Sequence, residues 1–410
     1  MSKQSEKLFE ALGKIDDRYI EEAEETTLTA RRGLPPLWKA LLPAAACLAL
    51  AAALFPRTTD PLADLPPIDP DLPKLTIDTE NFYGGGMGFE GYMAYDISDL
   101  ASANPWIEEE APTTLPVFQN PVNYLPSGLA LDLSVQEMES LGREVASRLD
   151  ADVLQVTVRP TQEEVLKIRE KYAQIGQEPP EHSLVPSQVE IHSEKGTIDV
   201  YGDGTMCIHY EPAIRLPEGY HFTYTSTREE LEAVGQYLLE EFDGLLAMEE
   251  PILCIEGGDF NIYGEQSFSL RFYEGKGDST QRLLNYHFSG ITFSGNEEGE
   301  LWISWLNTQD LSQKIGDYPI LTLQQAQAML VQGRYLTTVP EEFPGEKQIR
   351  KAKLVYRSGH EATLLPYYRF YVELPSMKQE NDLNTYGAYY VPAIPEGYLT
   401  NLEIWDGSFN

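Results

Sequence analysis

The pattern of apolar and polar positions divides the chain into helices, strands and one long apolar run. Four segments begin with Ser or Thr followed three positions later by Glu or Gln, a pair whose side chains cap each other's backbone N–H groups. These capping boxes predict helices over 134–149, 161–175, 227–246 and 322–332. Apolar residues recur at helical spacing within the first and third of them, which gives each one face for a core.

Strands are predicted between and after these helices, where apolar and polar residues alternate. Residues 198–210 and 260–272 each predict a β-hairpin and align without a gap, Gly202 falling on Gly264. The alignment indicates a weak internal duplication. Further strands are expected near 283–294 and 300–306 and in Lys351–Tyr356, Tyr367–Leu374, Gly387–Ala393 and Leu402–Trp405. The predicted fold class is α+β: one N-terminal transmembrane helix, then two units that each combine helices with an antiparallel sheet.

The longest apolar run, Leu37–Phe55, predicts the transmembrane helix. Its 19 residues at about 1.5 Å each give roughly 28 Å, close to the ~30 Å hydrocarbon core of a bilayer. Arg31 and Arg32 precede the run and Asp60 soon follows it, which predicts a cytoplasmic N-terminus. We therefore expect a single-pass protein of the cell membrane with an extracellular C-terminal region. Cleavage after the run, as in a signal peptide, is the alternative.

The same patterns set the expected domain boundaries. The segments are a cytoplasmic part at 1–36, the span at 37–55, a stalk rich in Pro and Gly at 56–86, a first α+β unit at 87–224 and a second at 225–410. Within the cytoplasmic part, residues 5–25 predict an amphipathic helix. Its apolar stripe includes Leu8, Leu12, Ile15 and Tyr19. Because an isolated helix is marginal in water, this stripe is a candidate docking site for a protein; contact with the membrane surface is the alternative.

Charge and composition exclude two classes of protein, those that bind nucleic acid and those that are disordered. The chain has 65 acidic residues against 30 Lys and Arg, a formal net charge of −35. A surface this acidic repels nucleic acid, so no nucleic-acid partner is expected. Apolar residues make up 42% and aromatic residues 11% of the chain, well above the content of a disordered protein. The part beyond the apolar run is therefore expected to be globular.

The sequence offers no catalytic, cofactor or metal site. The six His residues show neither HExxH nor zinc-finger spacing, and there is no GxSxG nucleophile motif. Cys207 and His209 would share one strand face and could supply half of a metal site. A partly buried pair of side chains without a metal is the favoured interpretation. Cys207 and Cys254 are a candidate disulfide, with two buried free thiols as the alternative.

Tyr is unusually frequent, with 24 residues, seven of which lie after residue 366. Alternation along a strand sends about half of such residues to the outer face, where Tyr offers contact area at low entropic cost. The candidate partner-binding residues are Tyr367, Tyr371, Tyr389 and Tyr390. The alternative is that Tyr simply fits a half-buried sheet.

Two stretches resemble known families. Ile15–Ala23, with the basic residues and Ala-rich span that follow, resembles the N-terminus of membrane-anchored Firmicutes proteins, some of them anti-sigma-factor-like. Residues 1–46 contain no His or Cys, which excludes a zinc-binding anti-sigma domain. Leu365–Leu374 and Tyr386–Ala393 resemble the closing strands of YycH/YycI regulatory proteins and of PepSY-type extracytoplasmic domains. That resemblance implies an α+β body that modulates a membrane or envelope signalling partner through protein contacts.

Three functional hypotheses follow. The first is a membrane-anchored, non-catalytic regulatory or sensor protein of envelope signalling that acts through protein–protein contacts. The second, from another class, is an anchored surface module that binds glycan or peptide. The third is an acid-site hydrolase, which would require a pocket with paired buried carboxylates.

Overall fold

The computed structural model describes most of the chain after residue 60. The described residues are 61–77, 93–94, 103–125, 129–260, 265–337, 339, 342–357, 361–378 and 383–402. The chain separates into the units Met1–Asp60 and Pro61–Asn410, and only the second contains described residues. The apolar run Leu37–Phe55 and the candidate docking residues Leu8, Leu12, Ile15 and Tyr19 lie outside them.

The second unit consists mainly of β-strands. The strands are β1 (Met93–Ala94), β2 (Thr114–Gln119), β3 (Val153–Arg159), β4 (Gln188–Ser193), β5 (Gly196–Tyr201), β6 (Met206–Ile214), β7 (Pro251–Phe260), β8 (Gln266–Glu274), β9 (Ser289–Gly295), β10 (Leu301–Thr308), β11 (Lys314–Pro319), β12 (Ile349–Tyr356), β13 (Thr363–Leu364), β14 (Pro366–Glu373) and β15 (Thr385–Pro392). The α-helices are α1 (Val135–Arg148), α2 (Gln162–Gln174), α3 (Arg228–Glu241), α4 (Asp243–Leu246), α5 (Ser279–Phe288) and α6 (Leu323–Val331).

The largest sheet has eight strands in the order β3-β4-β5-β6-β10-β9-β8-β7. Every neighbouring pair in it is antiparallel. At its centre β10 hydrogen-bonds to β6 on one side and to β9 on the other, so strands from before and after residue 225 belong to one sheet. Two smaller antiparallel sheets have the orders β1-β15-β14-β12 and β11-β2-β13.

One hydrophobic core lies between the eight-stranded sheet and the helices α1 and α3. Val189 and Ile191 of β4 pack there with Met138 and Val145 of α1. At Gly142 the helix comes so close to the sheet that an added Cβ would lie 2.5 Å from Cγ1 of Ile191. Because this glycine has no side chain, α1 sits directly on the strands. A second core surrounds the two smaller sheets and is rich in buried Tyr.

The structure confirms the four predicted capping boxes. Ser134, Thr161, Thr227 and Thr322 each accept a hydrogen bond from the backbone N–H three residues on, and the side chain of that residue caps in return. One helix was missed: α5 occupies part of 283–294, which was predicted as a strand. Asp278 accepts a hydrogen bond from the backbone N–H of Gln281 and so begins α5.

The predicted fold class is wrong in two respects. The described residues form three antiparallel sheets with few helices, and the two expected helix-plus-sheet units share one eight-stranded sheet, because β10 joins their strands. The longest of the described helices have 14 residues, about 21 Å at 1.5 Å per residue. Within the described part of the chain, no helix is long and apolar enough to cross a membrane. The prediction of a single-pass protein of the cell membrane is contradicted by this finding.

Candidate binding face on the eight-stranded sheet

The side of the eight-stranded sheet turned away from α1 and α3 carries a row of mostly polar side chains. Directly opposed residues of antiparallel strands share a face, so the register of the strands places one residue of each strand in this row. In sheet order the row is Thr157, Glu190, Asp199, Cys207, Trp305, Thr292, Arg271 and Cys254. We call this side of the sheet the polar face.

Part of the polar face is covered by side chains of α5. At the end formed by β7 and β8, Cys254 is buried with Tyr273 and Tyr286. Tyr286 of α5 donates a hydrogen bond to Glu256, and the Arg271 guanidinium lies 5.6 Å from the centre of the Tyr286 ring. On the five strands β3, β4, β5, β6 and β10, by contrast, many side chains of this face are partly exposed. We call these five strands the open half.

An ion-pair network lies at the outer end of the open half. Arg159 Nε is 2.7 Å from Glu190 Oε1 and Arg159 Nη2 is 3.0 Å from Glu190 Oε2, so the guanidinium holds both oxygens of this carboxylate. The third nitrogen, Nη1, lies 2.6 Å from Glu164 of α2. These contacts raise the pKa of Arg159 above its ordinary value, chiefly through the hydrogen bond to Glu190. A planar, bidentate pair of this kind fixes the position of both side chains.

The hydroxyl groups of two threonines hold a histidine in the middle of this face. His192 Nε2 is 3.1 Å from Thr157 Oγ1, and its Nδ1 is 3.2 Å from Thr197 Oγ1. The three residues come from β4, β3 and β5, so the ring is fixed across three strands. His192 keeps 34% of its side chain exposed and lies 3.4 Å from Glu190. The imidazole is therefore positioned and still reachable by a ligand.

Cys207, His209 and Asp199 form a second cluster that resembles a catalytic triad in composition but not in geometry. Cys207 Sγ is 3.4 Å and Asp199 Oδ2 is 3.3 Å from the same atom, His209 Nε2. A triad needs the acid on one ring nitrogen and the nucleophile on the other. Burial and the nearby Asp199 carboxylate raise the pKa of the Cys207 thiol to about 12, and the side chain is fully buried. The cluster is consequently structural and does not generate a thiolate nucleophile.

The candidate disulfide between Cys207 and Cys254 is absent, and both residues are free thiols. The two cysteines share the row but are separated by β10, β9 and β8. Four strand spacings of about 4.8 Å put them roughly 19 Å apart, whereas a disulfide needs Cα atoms within about 7 Å. The sequence could not show this distance because it depends on the strand order.

A groove of about 820 Å³ lies where the open half meets α2. Arg159 and Glu190 contribute to its floor, and Glu164, Lys167 and Ile168 of α2 line it from the side. None of the residues of α2 is fully buried. The helix therefore covers little of the sheet and leaves room beside it. The groove carries charges of both signs, unlike the strongly acidic chain as a whole.

Aromatic side chains lie at the inner end of the open half. Tyr201 and Trp305 stack with ring centres 6.3 Å apart and planes 14° from parallel. Trp305 is 37% exposed. Exposed Trp and Tyr are typical of the energetic centres of protein interfaces. The polar face was not predicted from the sequence. The alternation of Glu190, His192, Thr197 and Asp199 in two adjacent strands is the pattern that indicates it.

The tyrosines predicted as contact residues are not at the surface. Tyr367, Tyr371, Tyr389 and Tyr390 are each at most 4% exposed. Their strands β14 and β15 are covered on both faces, and every residue of β15 is buried. The alternation of the strand therefore sends no Tyr of this set to solvent. These residues belong to the second core, and their prediction as partner-binding residues is wrong.

The paired carboxylates required for an acid-site hydrolase are present in register but are already engaged. Glu190 and Asp199 oppose each other across β4 and β5. Burial raises the pKa of Asp199, and the opposing effect of His209 is smaller. Glu190 has both oxygens bonded to Arg159, so neither is free to attack a substrate or activate water. Among the residues placed by the structure, no group of three or more His, Cys, Asp or Glu is arranged to hold a metal ion.

Comparison with known proteins adds little to this geometry. No protein-family model matches the chain, and no curated protein matches it. Among solved structures, the chain is similar to an uncharacterized protein from Eubacterium rectale ATCC 33656, with 10% sequence identity, a TM-score of 0.30, and coverage of 69% of this chain and 84% of that one. A similarity this distant supports no conclusion about fold or function.

Proposed function

We propose that the protein is a non-enzymatic regulatory protein that acts through protein–protein contacts, and that a segment of its partner binds across the open half of the polar face. The observation that carries the proposal is the row of partly exposed polar and aromatic side chains on five adjacent strands. Four strand spacings make this surface about 19 Å wide. That is wider than a small-molecule pocket and suits an extended polypeptide.

The chemistry of the open half supports a polypeptide ligand. Trp305 offers large apolar contact area, and the groove beside α2 offers charges of both signs. Fixed side chains such as His192 lose little entropy when they meet a ligand. Because the chain carries a net charge of −35, a neutral or basic segment is favoured over an acidic one. The regulatory part of the proposal rests on the resemblance of Leu365–Leu374 and Tyr386–Ala393 to regulatory proteins.

Site-specific photo-crosslinking in cells tests the proposal. The full chain carries benzoylphenylalanine in place of Trp305, and a matched chain carries it in place of Val331, which is 50% exposed on α6. We expect the Trp305 position to form a covalent adduct with one protein, mapped by mass spectrometry to one segment of it, and the Val331 position to form none.

Three outcomes would contradict the proposal. Equal adducts from both positions would mean that contact is not specific to the polar face. An adduct with glycan in place of protein would favour the glycan-binding alternative. The third is the absence of any protein adduct from the Trp305 position, which would show that no partner segment contacts the open half.

A further inference from the structure

The outer strand β3 presents a strand edge without the usual protection. Among the residues that the structure describes, β4 is the only strand paired with β3. Residues 153–158 contain no Pro, Lys, Asp or Glu, the residues that commonly block the edges of sheets. Leu154, at an irregularity between Val153 and Gln155, is 69% exposed. This edge has the features of a site for pairing with another strand.

The opposite edge of the same sheet is protected, which makes the contrast informative. There, β7 begins at Pro251 and carries Glu256, and its register shifts between Gly257 and Asp259. The helix α3 also packs against β7. One end of the sheet thus has several devices that prevent strand addition, while β3 has the irregularity at its start and Arg159 and Pro160 at its end, with no such residue between them.

The regular part of β3 is complementary to itself. If two copies of Gln155–Arg159 pair antiparallel about Thr157, then Gln155 opposes Arg159, Val156 opposes Val158 and Thr157 opposes its own counterpart. Val156 and Val158 are on the helix side and the other three on the polar face, as their partners in β4 show. Valine pairs and threonine pairs across strands are favourable combinations. No like charges meet in this arrangement.

Charge opposes a second copy least at this edge. Residues 152–175, which contain β3 and α2, hold four acids and four bases, in a chain with a net charge of −35. Two such chains repel each other over most of their surfaces, and the repulsion is smallest where the local charge is zero. A partner of different sequence would gain no comparable advantage from this neutral segment.

We propose that β3 pairs with β3 of a second copy about a two-fold axis at Thr157, which joins the two eight-stranded sheets edge to edge. The symmetry is closed, as in most homodimers. A five-residue strand pair buries less area than a permanent interface, so the dimer depends on protein concentration. The inference rests on the edge of the sheet and is independent of the partner proposed for its open half.

Cysteine crosslinking locates the axis. In a full-chain Cys47→Ser background, Thr157→Cys is expected to form an intermolecular disulfide under mild oxidation by copper phenanthroline. The matched control is Thr197→Cys, which lies on the same face but two strands inside the sheet. Cys207 and Cys254 are fully buried and provide a silent background. A crosslink at position 197 as strong as that at 157, or none at 157, overturns the proposal.

Sedimentation velocity with a second pair of variants keeps the test independent of oxidation. Thr157→Lys places two positive charges opposite each other at the axis and is expected to abolish the concentration-dependent dimer. Thr157→Val loses the same hydroxyl but makes a favourable β-branched pair, so its dimer is expected to persist. Circular dichroism checks that both variants fold. A wild-type chain that is monomeric at all concentrations, or dimers unaffected by Thr157→Lys, would exclude pairing at this edge.

Discussion

Two adjacent residues of β4 allow the assignment of the two sheet faces to be tested by stability. Ile191 is fully buried against α1, whereas its neighbour His192 points to the polar face and keeps 34% of its side chain exposed. We expect Ile191→Ala to destabilise the protein severely and His192→Ala only slightly. The two variants share one strand, so differences in local backbone propensity are small.

The magnitudes follow from what each side chain contacts. Ile191→Ala removes three buried carbon groups at about 0.8 kcal/mol each, roughly 2.4 kcal/mol of transfer free energy. Gly142, where an added Cβ would lie 2.5 Å from Ile191, has no side chain to fill the space, so a cavity remains and the total reaches about 3–4 kcal/mol. His192→Ala removes hydrogen bonds to Thr157 and Thr197. Water replaces them at this exposed position, so the cost is about 1 kcal/mol or less.

Urea unfolding followed by Trp fluorescence and by circular dichroism measures both free energies of unfolding. Coincidence of the two signals shows that unfolding is a single transition. If His192→Ala lowers the free energy of unfolding as much as Ile191→Ala, the polar face is packed like a core and could not receive a partner, which would refute the assignment of the two faces. It is also refuted if Ile191→Ala is tolerated at less than about 1 kcal/mol, since the helix-facing core would then not be packed as described.

Three further predictions concern a cap, a carboxylate and the thiols. Thr227→Ala removes the hydroxyl that accepts a hydrogen bond from the backbone N–H of Glu230 at the start of α3 and should cost about 1 kcal/mol in urea unfolding, while Thr227→Ser should cost little; equal losses would show that the hydroxyl is not the cap. Burial raises the pKa of Asp199, so the folded state keeps this proton to higher pH than the unfolded state, and its contribution to stability is lost as pH rises through the folded pKa. At pH values above that pKa, Asp199→Asn should therefore unfold at a higher urea concentration than wild type. At pH values below the ordinary pKa of aspartate, the variant should have no such advantage. A variant less stable than wild type at neutral pH would contradict this. Cys207 and Cys254 should resist N-ethylmaleimide in the folded protein and react after denaturation, as peptide mass spectrometry can show; native labelling of either would mean that its burial is wrong.

Local features of the sequence predicted local structure well. A capping box depends on two side chains three residues apart, so Thr161 with Glu164 and Thr227 with Glu230 marked the starts of helices without knowledge of the fold. The start of α5 was missed because its N-cap is Asp278, whereas the predicted helices were identified by Ser or Thr at that position.

Features that depend on strand order could not be predicted. The sheet is continuous because β10 lies between β6 and β9, a pairing between residues about ninety positions apart in the chain. The same topology separates Cys207 from Cys254 and aligns Glu190 with Asp199. The prediction of exposed tyrosines was wrong for a related reason. Alternation predicts one exposed face per strand, but β15 is covered on both of its faces.

The binding of a partner segment to a Trp305→Ala variant tests the central claim most directly. Once photo-crosslinking has identified the segment, its dissociation constant is measured by titration calorimetry for wild type, Trp305→Ala and the control Val331→Ala. The open half of the polar face predicts about tenfold or weaker binding for Trp305→Ala, a loss of at least about 1.4 kcal/mol, and wild-type binding for Val331→Ala. Equal affinities for all three proteins would contradict the assignment of the binding site to this face.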